Sequence, residues 1–112
     1  MEIVSTQQND VVILTISGSL DAMTSEQAVA QINLEFDKQH TKLVIDLSGV
    51  GFMSSAGMRI ILATLQTARQ KGGDLRLVGG SNNIRRTLEF SGFTKIMQMY
   101  DTVAEAVESF SG

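Results

Sequence analysis

The order of elements legible in this sequence predicts an α/β domain built on a mixed, mostly parallel sheet of about five strands with about four helices. Two observations carry that expectation. Two β-branched runs open the chain with a short polar turn between them. After them, apolar strand-length runs alternate with stretches of helical period, each change marked by glycine or serine. Such alternation builds parallel strands joined by right-handed crossovers.

The elements follow in order. Ile3-Val4-Ser5-Thr6 and Val11-Val12-Ile13-Leu14-Thr15-Ile16 read as strands, paired through a turn at Gln8-Asn9-Asp10; the second is expected to end at Ser17-Gly18. Thr24 and Gln27 have capping-box spacing, and Val29, Ile32 and Phe36 recur at helical intervals as its buried stripe. Lys42–Leu47 is the next core strand, and Ser48–Met53 reads as a loop carrying it to Ser54-Ser55. A long helix then places Met58, Ile61, Leu62, Leu65 and Ala68 on one stripe and stops at Lys71-Gly72-Gly73, a cation followed by glycine. Leu75–Val78 is a strand closed by Gly79-Gly80. Ser81 caps a short helix with Ile84 and Leu88 inward, and Ile96–Met99 reads as the last strand. Thr102 and Glu105 form a capping box for a final helix with Val103, Val107 and Phe110 on its stripe.

No repeat, linker or low-complexity tract interrupts the chain, so residues 1–112 are read as one domain. A chain of this size buries roughly 65% of its unfolded surface, enough for one core without staples. With no cysteine there is neither a disulfide framework nor a thiolate metal site. Nine basic against twelve acidic residues leave a net charge of −3, which opposes nonspecific binding to nucleic acid or anionic membrane. The start has no basic n-region and no long apolar stretch, and no apolar run approaches the ~20 residues of a membrane span. The expected compartment is the cytoplasm.

The chemistry concentrates in Asp46-Leu47-Ser48-Gly49-Val50-Gly51-Phe52-Met53-Ser54-Ser55-Ala56-Gly57-Met58, between the carboxyl end of a central strand and the longest helix. That edge of an open α/β sheet is where ligands and partners dock. Either serine there also reads simply as an N-cap, worth ~1 kcal/mol. Asp21 reads as a turn residue, Thr24 as a cap and Asp46 as an acceptor for loop N–H groups. Arg85-Arg86 reads as a solvated face. The Gly72-Gly73 and Gly79-Gly80 pairs lack the spacing of a nucleotide fingerprint.

This run resembles the signature of STAS domains in bacterial anti-sigma factor antagonists: a strand ending in Asp-Leu-Ser, an aromatic residue, then a pattern close to Asp-Ser-Ser-Gly-Leu. Gly18-Ser19-Leu20-Asp21-Ala22 is similar to that family's Gly-x-Leu-Asp-Ala loop, and the element order agrees along the whole chain. The resemblance implies that Ser55 is the phosphorylated serine, with Ser54 the lesser candidate, and that Asp21, Met53, Ser54, Gly57 and Met58 meet the partner. Met53 and Met58, flanking the serines, are expected at the exposed interface. Ser54 departs from the family's usual aspartate, so two adjacent hydroxyls compete.

The implied function is a partner switch. The unmodified protein binds an anti-sigma factor that is also a serine kinase of the histidine-kinase-like ATPase type; phosphorylation releases it, and a PP2C-type phosphatase reverses the modification. ATP and magnesium belong to that partner, so no cofactor is expected here. A second reading keeps the serine switch but serves a non-sigma client in secretion, biofilm or other signalling. A third reading, a serine hydrolase on Ser55, is opposed by reach. The only histidine, His40, precedes the strand that leads to Ser55, and a six-residue strand already spans ~20 Å. The Gly-x-Ser-x-Gly elbow is absent too, Met53 holding its first position.

Overall fold

A computed structural model describes residues 1–111 of the chain. Five strands lie in the order of the sequence: β1 (Glu2–Gln8), β2 (Val11–Leu20), β3 (Lys42–Met53), β4 (Asp74–Val78) and β5 (Met99–Tyr100). β1 and β2 are antiparallel; every later pairing is parallel. Four α-helices accompany them: α1 (Ser25–Asp37), α2 (Ser55–Gln70), α3 (Asn82–Phe90) and α4 (Val103–Glu108), with a 3-10 turn at Phe93–Lys95.

The alternation of strand side chains explains the layering. Val12, Leu14, Ile16, Leu43, Ile45, Leu47, Leu75 and Leu77 point to one face, where they pack with Ala28, Ile32 and Phe36 of α1, Ile61 and Leu65 of α2, and Ile84 and Leu88 of α3. Val11, Ile13, Val44 and Val78 point to the other face, under Ala106 and Val107 of α4. The middle of the sheet is thus covered on both sides. Its continuous apolar runs have that cause.

Four departures from the sequence expectations have local causes. Val29 is exposed, because the buried stripe of α1 runs through Ala28, Ile32, Glu35 and Phe36 and leaves Val29 to its flank. Thr24 makes no capping bond to α1, its hydroxyl being used within the preceding loop. β2 continues through Ser17-Gly18 to Leu20, and the Ser48–Met53 stretch is strand, not loop, paired with that extension. The pairing there slips between Thr15 and Ser17 and again between Gly18 and Ser19, leaving unpaired residues on β3. Glycines within a strand mark such bulges, so Gly49 and Gly51 imitate a loop in the sequence. Last, Ile96–Met99 contributes only Met99 to a two-residue strand; Ile96 is exposed and Met97 drops into the core after the 3-10 turn.

The remaining caps agree with the residues. Ser81 accepts from Ile84 N–H, and Thr102 accepts from Glu105 N–H at 3.1 Å while its hydroxyl donates to the Glu105 carboxylate at 3.0 Å. Lys42 at the start of β3 reaches Asp10 in the hairpin turn at 2.7 Å, and that hydrogen bond holds the Asp10 carboxyl below its ordinary pKa. The pair lies in solvent, where such contacts contribute little.

Candidate functional site

The two motifs singled out in the sequence meet at one edge of the sheet. Because β2 and β3 are parallel, their carboxyl ends lie together, Ser19 opposite Phe52 and Leu20 opposite Met53. Ser54 N–H then donates to the Leu20 carbonyl at 3.0 Å, joining the start of α2 to the end of β2. Beyond Leu20 the chain turns on Asp21, whose Oδ1 accepts from the N–H groups of Met23 (2.9 Å) and Thr24 (3.1 Å). The Thr24 hydroxyl accepts from Asp21 N–H at 3.0 Å and donates to the Ser19 carbonyl at 2.9 Å. Asp21 and Thr24 therefore brace the loop against the strand end. Asp46 does similar work, its Oδ1 accepting from Ser48 N–H at 3.0 Å.

At the start of α2 the two serines divide. Ser54 is extended (φ −90°, ψ 176°) and caps the helix, its Oγ accepting from Gly57 N–H over a long 3.4 Å. Ser55 is the first helical residue and is exposed. The first turn carries no acidic side chain, so nothing anionic on α2 offsets the positive end of the helix dipole.

The residues expected to meet a partner do not all reach the surface. Asp21, Ser54 and Met58 are half-buried, and the Met58 sulfur accepts from the Ser91 hydroxyl at 3.5 Å. Met53 is buried in the main core with Leu20 and Val50, contrary to its expected exposure, because the second register slip turns it inward. Gly57 is buried too. A Cβ added there would come within 2.5 Å of the Leu20 carbonyl oxygen and 3.0 Å of the Leu20 and Met53 side chains. Glycine at that position is what lets α2 start against the end of β2.

Three exposed apolar side chains at the ends of elements were not singled out in the sequence. Met23 is 93% exposed in the Asp21 loop, Phe52 is 55% exposed two residues before Ser54, and Phe90 is 92% exposed beside Ser91, which touches Met58. Their sequence signal is faint: large apolar residues at element ends with no partner at strand or helix spacing. A groove of about 370 Å³ also runs between α1 and α2 from the start of both helices, lined in part by Val29, Phe36, Ala56, Arg59 and Ile60.

His40 lies at the opposite end of β3 from Ser55, with Nδ1 3.3 Å from the buried Glu35 carboxylate. Among the described residues, no group of three or more His, Cys, Asp or Glu side chains is arranged to hold a metal ion, and no helix is long and apolar enough to cross a membrane.

The STAS domain model matches residues 2–106. An anti-sigma F factor antagonist of Paenibacillus polymyxa is 32% identical over 98 residues, covering 87% of this chain and 84% of the relative. The anti-sigma-F factor antagonist RsfB of Mycobacterium tuberculosis is 30% identical over 107 residues, covering 93% and 84%. Among solved structures, an anti-sigma factor antagonist from Mycobacterium paratuberculosis superposes with a TM-score of 0.91 at 25% identity, covering 99% of this chain and 94% of that one. Through its fold, its two motifs at one sheet edge and these matches, the chain belongs to the STAS domain family.

Proposed function

We propose that this chain is an anti-sigma factor antagonist that binds its partner through the edge around Ser55 and lets go when Ser55 is phosphorylated. The observation that carries the reading is an exposed serine at the first position of α2, at the sheet edge where the two motifs meet. Phe52, opposite Ser19, and Met23, in the Asp21 loop, leave large apolar side chains in solvent at that edge, surface that gains by being covered. The named function of relatives at 30% and 32% identity supplies the class of partner, an anti-sigma factor.

The switch follows from charge and placement. The partner acts as a serine kinase of the histidine-kinase-like ATPase type and moves the γ-phosphoryl group of its own ATP to Ser55 Oγ. ADP leaves, and the hydroxyl proton is lost. The product carries about −1.5 to −2 charge and three strong acceptor oxygens. In the free protein that group faces water and the N–H groups opening α2, which favour an anion. Under a partner it loses its water in an apolar setting, a cost of several kcal/mol if unpaired. A PP2C-type phosphatase hydrolyses the ester and restores binding. The chain itself is a binding module and not an enzyme.

The test is a pull-down with unmodified protein, followed by incubation of the captured complex with ATP and fragment-ion mapping. Recovery of a kinase-like ATPase, release on ATP addition and phosphate on Ser55 are the expected results. Phosphate on Ser54 alone would place the switch on the capping residue and overturn the assignment.

A further inference from the structure

Arg59 is the only charged residue between Asp46 and Arg69. It stands four residues after Ser55 within α2, so the two side chains leave the same face of the helix. Both are exposed. Elsewhere Arg69 and Arg76 pair with Asp74, and Arg85 pairs with Asp101. Arg59 has no carboxylate within ion-pairing distance among the described residues; its side chain lies at the α1–α2 groove beside Ala56. The fixed charges of the preceding loop and of the first turn of α1 are carboxylates, Asp21 and Glu26, so they cannot serve a new anion at Ser55.

From this placement we infer that Arg59 is the intramolecular counter-ion of phosphorylated Ser55. The inference rests on the assignment of the switch to that serine. An anion preceding a cation by four residues is the favourable order along a helix, and the anion at the first position of α2 also meets the positive end of the dipole. A guanidinium offers a fork of N–H donors matched to phosphate oxygens, which strengthens the pair beyond a point-charge contact. Modification then changes the surface twice: it adds an anion at the start of α2 and draws a cation away from the groove. The residue four positions on distinguishes the two serines. Four residues after Ser54 stands Met58, which offers a phosphate nothing.

Phosphoserine installed at position 55 during translation makes the measurement independent of any kinase. The second ionisation of the phosphate is followed by phosphorus NMR in the otherwise native chain, in Arg59→Gln and in Arg59→Lys. The N–H groups of α2 are common to all three, so their influence cancels. The phosphate pKa should rise by about 0.3 or more in Arg59→Gln, the size of an exposed i, i+4 ion pair. Lysine should restore part of the effect, and added salt should narrow the difference between the native chain and Arg59→Gln. Amide spectra matching the native chain establish that each variant is folded. Equal titration midpoints in the native and Arg59→Gln chains would overturn the inference. Mapping of the kinase-made phosphate is read separately. Modification of Ser54 alone would remove Arg59 from the switch, whatever the installed phosphate shows.

Discussion

The β2–β3 pair is two structures in one. In its first half Val11–Thr15 runs beside Lys42–Asp46 in unbroken register, and Leu14, Leu43, Val44 and Ile45 are wholly buried. In its second half Ser17–Leu20 runs beside Gly49–Met53, entered by a slip between Thr15 and Ser17 and broken by another between Gly18 and Ser19, and buried residues alternate irregularly with exposed Gly49, Gly51 and Phe52. The first half is sandwiched between α4 and the other three helices. The second half projects toward the start of α2 and carries the candidate interface. One strand pair thus holds the domain together at one end and displays the candidate interface at the other. A surface built from bulges is fixed in position by the regular ladder behind it.

This contrast predicts opposite phenotypes for changes in the two halves. The largest effect on stability belongs to Ile45→Ala, at the centre of the regular half. Removing a fully buried isoleucine leaves a cavity and costs about 2–5 kcal/mol. The denaturant midpoint should fall sharply, while partner affinity of the fraction that remains folded stays within a fewfold of native. Gly57→Val tests the junction. Its Cβ must displace the Leu20 carbonyl, so the end of β2 or the start of α2 has to shift. A cost of about 1–3 kcal/mol is expected from such overpacking, and here, unlike Ile45→Ala, the folded protein should also lose affinity. Native affinity in folded Gly57→Val would show that the interface does not depend on how α2 meets β2.

The same contrast explains what the sequence made legible. The regular half was plain, because Val, Ile and Leu in unbroken runs leave few alternatives to a buried strand. The bulged half was misread as a loop, since a one-residue slip reverses which side chains face inward and glycine hides the slip. That error has a direct consequence at Met53, whose exposure was expected and whose side chain is buried. Ser54 and Ser55 were equally eligible as caps by composition. Only the geometry of the extended Ser54 and its bond from Gly57 separates them. Thr24 had the spacing of a capping box yet serves the Asp21 loop, because its hydroxyl oxygen accepts from Asp21 N–H while its proton goes to the Ser19 carbonyl.

Ser55→Asp sharpens the comparison from the side of the switch. An anion at the first position of α2 complements the dipole, so the melting temperature should stay near native or rise slightly. Binding to the anti-sigma partner should weaken about tenfold or more, corresponding to roughly 1.4 kcal/mol. Aspartate is smaller and less charged than phosphoserine, so the phosphoprotein should be affected more strongly. Amide shifts confined to Gly18–Ala22 and Met53–Arg59 would mark local repulsion. Shifts throughout β3 and β4 would mean that the charge refolds the domain, and the local mechanism would fail.

The smallest expected effect separates the two hydroxyls. Ser54→Ala removes the cap of α2, but the bond it breaks is already long at 3.4 Å, and the Met58 N–H to Ser54 carbonyl bond at 3.0 Å survives the change. The loss should lie at the low end for a cap, about 0.5 kcal/mol. Ser55→Ala replaces an exposed hydroxyl with a better helix former, so its stability should equal or slightly exceed native. The pair of variants should therefore order as Ser54→Ala below native and Ser55→Ala at or above it in a urea titration with unchanged slope. Both should bind the partner, since neither adds charge. Their response to ATP should differ completely: the complex with Ser54→Ala dissociates as native does, and the complex with Ser55→Ala persists. A persistent complex with Ser54→Ala would show that the capping serine takes part in the transfer, and the division of labour between the two residues would have to be redrawn.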